Sequence, residues 1–336
     1  MEKLLQSWER LCASSSFLWF VDINLRGVAQ VMFQNNPLTG AFFLAAIAWG
    51  SYAAGAPRIA VAGLLAVVIA TLTAQWLRVD RVALRSGLYG YNALLVGLAL
   101  ATFLAPNALL WVYVVLGAAV SVVAMLGVTN VAKPLGVSAL TFPFVLITWL
   151  LLLATYGFSG LTGATAPADP SIVTPFQPYE ASLLKVADLV QGVLQSISQV
   201  FLKGSGVAAI LLLVGLAVNS LAAAAFALTG AILAVLTAHL FGAESDLVTG
   251  GLLGFSPVLT AIALGTVFYQ PSLRVAAYAA LGTVFTVIAQ AALNAALMPI
   301  AIPALTAPFV LVSWMFLLPN QCLKTLTTDA TKSDAT

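Results

Sequence analysis

Charge is what this chain has least of. Of its 336 residues, 13 are Lys or Arg and 11 are Asp or Glu, 7% in all, against about 25% in soluble domains. The stretches 27–57, 59–77, 86–132, 134–168, 204–243, 247–273 and 275–323 hold no charge at all. A soluble globule cannot cover its surface with that composition, so soluble, nucleic-acid-binding and disordered classes are excluded. Cysteine is nearly absent too. Cys12 and Cys322 lie at opposite ends, without metal-ligand spacing to another Cys or His, so neither a disulfide framework nor a metal centre is indicated. No Walker loop, zinc motif or nucleophile elbow occurs, and nothing points to an enzyme or to a cofactor. The opening MEKLLQSWERLCASSSF mixes acids with bases and lacks a clean apolar core, so it does not read as a cleaved signal. The absence of an Asn-x-Ser/Thr acceptor fits a bacterial inner membrane.

What remains is apolar residues, 62% of the chain. A bilayer is the solvent that suits the long uncharged runs, since a spanning helix needs about 20 mostly apolar residues. Cut at Gly, Pro and polar clusters, the runs give spans near 38–56, 59–77, 87–105, 107–128 and 136–157, then 206–221, 224–241, 249–268, 274–294 and 299–318. The expected organisation is a segment 1–21, a first membrane repeat 22–157, a Pro/Ser/Thr/Gly-rich connector 158–187, a second repeat 188–318 and a tail 319–336. Ten spans in this order put Lys3, Arg10, Arg78, Arg81, Arg85, Lys133, Arg274, Lys324 and Lys332 on one side, with both termini. Arg58, Lys185 and Lys203 fall on the other, with Asp169, Glu180, Glu244 and Asp246. Excess Lys and Arg mark the cytoplasmic face, which places both termini there. Segments 22–35 and 188–203 are too short to span and read as surface amphipathic helices or as half-helices that enter the bundle and stop.

Three segments recur in order. LRGVAQVMF (25–33) matches LQSISQVFL (194–202), GLYGYNALLVGLAL (87–100) matches GLLGFSPVLTAIAL (251–264), and ALTFPFVLITW (139–149) matches ALTAPFVLVSW (304–314), at offsets of 169, 164 and 165. Similarity at so constant an offset is a duplication. Five spans per unit is an odd number, so the second unit enters the membrane upside down. Inverted repeats of this kind hold a transport site at their interface. The fold class expected is an all-α polytopic membrane protein of ten transmembrane helices, in two inverted five-span repeats with two half-membrane helices.

Gln30 and Gln199 are the repeated amides, and they could glue helices together or face each other across a path. Thr141 and Thr306 precede Phe-Pro and Ala-Pro. Their hydroxyls could bond back to their own helices, or unwinding before Pro143 and Pro308 could turn hydroxyls and carbonyls toward a pore. Tyr91 recurs with Phe255, Leu88 with Leu252 and Leu95 with Leu259, for which packing is the default reading. The acids all fall near span ends or in connectors, and His239 sits beside the Glu244/Asp246 loop as an interface residue. A pore without fixed charge passes a neutral solute and rejects ions by desolvation. Two other readings stay open: an ion-coupled carrier of a small neutral polar solute such as a nucleobase, and a membrane enzyme or non-transporting structural protein.

The motifs LRGVAQVMFQNNPLTG (25–40), GLYGYNALLVG (87–97) and LTFPF (140–144), with second-half copies QVFL, GLLGFSPVL and LTAPF, resemble those of the urea transporter family over nearly all of 20–318. The resemblance implies a homotrimer in membrane lipid. Each protomer would conduct urea down its gradient between apolar slots while the NH groups step along a ladder of oxygens. By motif, Gln30 and Gln199 resemble ladder side chains and Thr141 and Thr306 the central hydroxyls. Phe33, Leu88, Tyr91, Leu252 and Phe255 resemble slot walls, with Leu95, Val200 and Leu259 at the middle, and Val31 is a further pore-lining candidate. The second half departs from the pattern, reading LKGSGV where the first has FQNNPLTG, and Ser256 where the first has Asn92.

Overall fold

The computed structural model describes residues 2–319 except 159, 161–162 and 164–183. Most of the connector expected at 158–187, most of the tail at 319–336, and Cys322 lie outside the described residues. Those described are almost entirely helical, with an isolated bridge between Leu104 and Gly163. The first half runs α1 (Glu2–Ser14), α2 (Ser16–Ala29), α3 (Pro37–Ala53), α4 (Arg58–Trp76), α5 (Arg81–Arg85), α6 (Tyr91–Phe103), α7 (Ala108–Ala132) and α8 (Phe142–Ala154). The second runs α9 (Val186–Ser198), α10 (Gly206–Asn219), α11 (Leu221–Leu240), α12 (Ser245–Thr249), α13 (Phe255–Ile262), α14 (Leu273–Leu297) and α15 (Ala307–Leu317). From α2 onward the order of elements in the first half recurs in the second, including a single 3₁₀ turn after α2 and after α9.

Small polar residues set the helix starts. Asn36, Asn107, Ser205, Ser220 and Ser272 accept bonds from backbone N–H groups of the turns they open, and Pro37 occupies the first turn of α3. Four helices, α4, α7, α11 and α14, are long and apolar enough to cross a membrane, and the pair α9 and α10, bent by 71°, would make a fifth. Helices α3, α6, α8 and α15 are apolar but shorter, as is α13 together with the π-helical turn that continues it to Val267, each 10–17 residues long. The spans expected at 87–105, 136–157, 249–268 and 299–318 therefore begin later than the sequence suggests. Gly87, Leu140, Gly251 and Leu305 adopt left-handed backbone, at φ 74°, 52°, 68° and 52°, which ends one chain direction before the next helix starts.

The helices pack through small residues, as membrane helices do where backbones must approach closely. Ala62, Ala66, Ala70 and Ala74 line the buried face of α4. A Cβ on Gly97 of α6 would come within 2.5 Å of the Ala62 carbonyl. The outward faces carry Val61, Leu64 and Leu72 on α4, Val112, Leu116 and Val123 on α7, and Leu281 and Ile288 on α14, all exposed. An apolar exterior over an alanine-rich interior is the inverse of a soluble surface, and the chain is an integral membrane protein.

Helices α3 and α10 bind the halves together. Thr39 donates to the Gly215 carbonyl at 2.8 Å, and Asn219 donates to Gln34 at 2.7 Å. The residues equivalent to Gln34 and Asn219 are Lys203 and Gly50, and the Lys203 stem lies 3.0 Å from where a Gly50 Cβ would sit. Lys203 is only 3% exposed. The sequence placed it among the charges of an outer loop; it is buried because the turn after α9 ends inside the protein.

Candidate functional site

Two short helices enter and stop. Helix α2 and its 3₁₀ turn Gln30–Met32 end at Phe33, and α9 with its turn Gln199–Phe201 ends at Leu202; Phe33 and Leu202 are left-handed, at φ 62° and 57°. Each of these short helices is pressed onto a glycine turn of its own repeat. A Cβ on Gly87 would overlap Gly27 N, and one on Gly251 would overlap Ser196 N. No other residue permits that approach at positive φ.

This docking fixes the two amides. Gln30 Nε2 donates to the Ser86 carbonyl at 2.8 Å, and Gln199 Nε2 donates to the Gly250 carbonyl at 3.3 Å. Each amide nitrogen is thus tied to the neighbouring turn. Among the described residues neither Oε1 receives a donor, so each keeps a free acceptor. Both side chains are half-buried.

Thr141 and Thr306 join the halves directly, with their hydroxyls 2.6 Å apart and both residues buried. Neither bonds back to its own helix. Flanking them, Trp149 of α8 donates to the Pro303 carbonyl ahead of α15, and Trp314 of α15 donates to the Ser138 carbonyl ahead of α8, each at 2.8 Å. The backbone does unwind before Pro143 and Pro308, yet the carbonyls that follow from it are occupied. Leu140 O accepts from the Tyr91 hydroxyl at 2.6 Å and from Asn92 Nδ2 at 3.4 Å, and Leu305 O lies 3.4 Å from Ser256 Oγ. Tyr91 therefore has a hydrogen-bonding task beyond that of an apolar wall.

A cavity of about 220 Å³ brings together Gln199, Val200, Leu252, Phe255 and Thr306. Phe103 and Phe144 of the first half also line it, as do Leu202, Leu305, Gln290 and Asn294. Of the first-half candidates, Phe33 packs edge-on against Phe268 and Phe309, with centroids 6.2 and 6.1 Å apart. Leu88 is half-buried, whereas Val31, Leu95 and Leu259 are wholly buried in the core between the halves.

Sequence reasoning missed Gln290. It stands 165 residues after Met125, whose sulfur lies 3.5 Å from Asn92 Nδ2. In the second half Ser256 Oγ lies 2.6 Å from Gln290 Oε1. The amide carried by α6 in the first half is carried by α14 in the second, so the departure at Ser256 is offset by a neighbour. Projecting the offset onto α7 and α14 would have found the exchange.

Fixed charge is also closer to the site than expected. Asp22, on α2, is 0% exposed, which corrects the reading that all acids stay near span ends or in connectors. It accepts from Trp8 Nε1 at 2.6 Å and pairs with Arg26 at 2.8 Å and Arg85 at 2.6 Å. The half-helix carries its acid inward, and two guanidiniums compensate the charge.

A profile described as "Urea transporter" matches residues 21–321. The chain is 28% identical to Urea transporter 1 of Ovis aries over 308 residues, covering 90% of this chain and 77% of that protein. It is 27% identical to Urea transporter 1 of Capra hircus and of Rattus norvegicus, at the same coverage. The matched span begins within α2 and extends past α15, so it takes in both glutamines, both threonines and every element between them. The chain belongs to the urea transporter family, whose members are transporters and not enzymes.

Proposed function

We propose that the protein carries urea passively, as a channel, along a path between the two half-helices. The observation that carries this reading is the matched pair Gln30 and Gln199, each held by its amide nitrogen with its oxygen left to accept, in two repeats that meet at the Thr141–Thr306 contact. Urea is planar, with one acceptor and N–H donors on both sides, so acceptors spaced along a path suit it. An N–H leaving water without a partner costs roughly 1–3 kcal/mol, and each oxygen it meets offsets most of that. Several similar weak sites allow passage where one tight site would trap the solute. Phe33, Leu88, Tyr91, Leu252 and Phe255 wall the path, with Val31, Leu95, Val200 and Leu259 behind its centre.

In this reading ten helices cross the bilayer, the short ones completed by the turns before them, and the halves are related by inversion about the Thr141–Thr306 contact. Both termini face the cytoplasm of a bacterial inner membrane, and three copies assemble with a path in each. The buried charges do not favour an ion-coupled carrier, because Asp22 is locked between two arginines and the Lys203 stem lies along α3. Stopped-flow urea efflux from proteoliposomes is the test. Rates well above those of empty vesicles, unchanged by a proton or sodium gradient, are expected. Rates that follow the gradient would replace the channel with the carrier.

A further inference from the structure

A second cavity, of about 950 Å³, lies between α1–α2 and the turn joining α4 to α5, and neither glutamine nor either threonine is among its lining residues. Glu9, Arg78, Arg81 and Arg85 line it beside Trp19 and Phe20. Three guanidiniums against one carboxylate leave the lining with two excess positive charges. Arg85 is shared with Asp22, while Arg78 and Arg81 have no partner among the described residues. Asp80 lies between them in sequence but is turned to cap α5, accepting from Ala83 N at 2.8 Å.

The repeat shows that the fold does not need these arginines. The turn equivalent to 77–81 is 241–245, where Gly242 stands for Arg78, Ser245 for Arg81 and Thr249 for Arg85. The backbone is the same in both turns. Arg78 N bonds to Gln75 O as Gly242 N bonds to His239 O, and φ is 52° at Arg78 and 69° at Gly242. An arginine there holds a left-handed conformation that disfavours any side chain, where the copy has the residue the turn prefers. A charge needed only to orient the chain could stand anywhere in the loop. Its position at a strained residue on a cavity wall points to a ligand.

We infer that this cavity binds the phosphate headgroup of an anionic phospholipid, with Arg78 and Arg81 as its principal donors. The bilayer is the source because the cavity opens beside apolar residues that face lipid. Trp76, at the end of α4, is 79% exposed and Phe17, at the start of α2, is 72% exposed; exposed rings at helix ends are suited to the headgroup region. Planar guanidinium forks match phosphate oxygens, and basic pockets between membrane helices on the cytoplasmic side take such headgroups. The site lies on the face that carries most of the Lys and Arg.

The test uses the full-length protein in detergent, titrated with phosphatidylglycerol, phosphatidylcholine or sn-glycerol 3-phosphate, with bound lipid counted by native mass spectrometry and Tm recorded. The variant is Arg78→Gly with Arg81→Gln, which places at 78 the residue of the copy and so spares the fold. Phosphatidylglycerol should be retained and raise Tm more than phosphatidylcholine does, and the double variant should bind it roughly 30-fold more weakly. Equal retention of the two lipids, or unchanged phosphatidylglycerol affinity in the variant, would overturn the inference. A Tm rise with sn-glycerol 3-phosphate equal to that with the lipid would overturn the bilayer as source. If the variant lost the Tm and folded-peak profile of the parent, Arg81→Gln alone should still weaken binding several-fold, and no change there would overturn it.

Discussion

Replacing Gln30 with leucine removes two interactions at once, and the structure separates their effects. The first is the 2.8 Å bond from Nε2 to the Ser86 carbonyl, which fastens the half-helix to the turn before α6. Its loss should cost about 1 kcal/mol of stability. The second is Oε1, the acceptor that a urea N–H would meet where water is excluded. Losing it costs roughly 1–3 kcal/mol, or about one to two orders of magnitude in flux at a rate-limiting position. Gln199→Leu should match the flux loss but cost less stability, because its tether to Gly250 is longer, at 3.3 Å. Gln30→Glu is harsher than an acceptor-for-acceptor swap suggests: the second carboxylate oxygen would face the Ser86 carbonyl, acceptor against acceptor. Protonation restores a donor there, so flux in that variant should rise as pH falls. Stopped-flow urea efflux, normalised to the folded peak on size-exclusion chromatography, measures all three. Near-normal flux in both leucine variants would refute the reasoning and leave any ladder to backbone carbonyls.

Thr141→Val and Thr306→Val should each lower Tm by stranding one buried hydroxyl, and the double valine should cost less than the sum of the two, since it strands none; additive shifts would refute the pairing. Gly87→Ala should abolish most flux by driving α2 off its turn, while Gly55→Ala, also at positive φ but with nothing within 4 Å, should keep flux near normal. Cys12 is 2% exposed, and burial, then the Asp22 charge, pushes its thiol above the usual range. In a Cys322→Ser background, maleimide labelling of folded protein should therefore be slow and accelerate as pH rises toward that higher value, with immediate labelling in SDS; rapid labelling at neutral pH would contradict the docking of α1. Cys12 is thus a poor reporter of which side the N-terminus occupies.

Much of this was legible in the sequence because the bilayer enforces it. Uncharged runs locate the apolar helices, though four of them start later than expected, and the internal offset singles out Gln30 with Gln199 and Thr141 with Thr306 as equivalents. Less legible was what depends on packing between segments distant in the chain. Helix starts at Tyr91, Phe142, Phe255 and Ala307 depend on left-handed residues, two of them leucines that no propensity would select. The inward placement of Asp22 depends on Arg85, far along the chain, arriving beside it. The exchange of Asn92 and Met125 for Ser256 and Gln290 keeps a buried amide at the equivalent place in each half while changing the helix that carries it, so residue-by-residue alignment reads it as a loss.

Passive passage is the central claim, and the distribution of labelled urea at equilibrium tests it most directly. Proteoliposomes holding the protein would be loaded with radiolabelled urea under an imposed proton or sodium gradient, and internal and external concentrations compared after flux has ceased. The account predicts equal concentrations, reached sooner than in empty vesicles, whatever the gradient and its direction. Urea held inside above the external concentration for as long as the gradient lasts would contradict it.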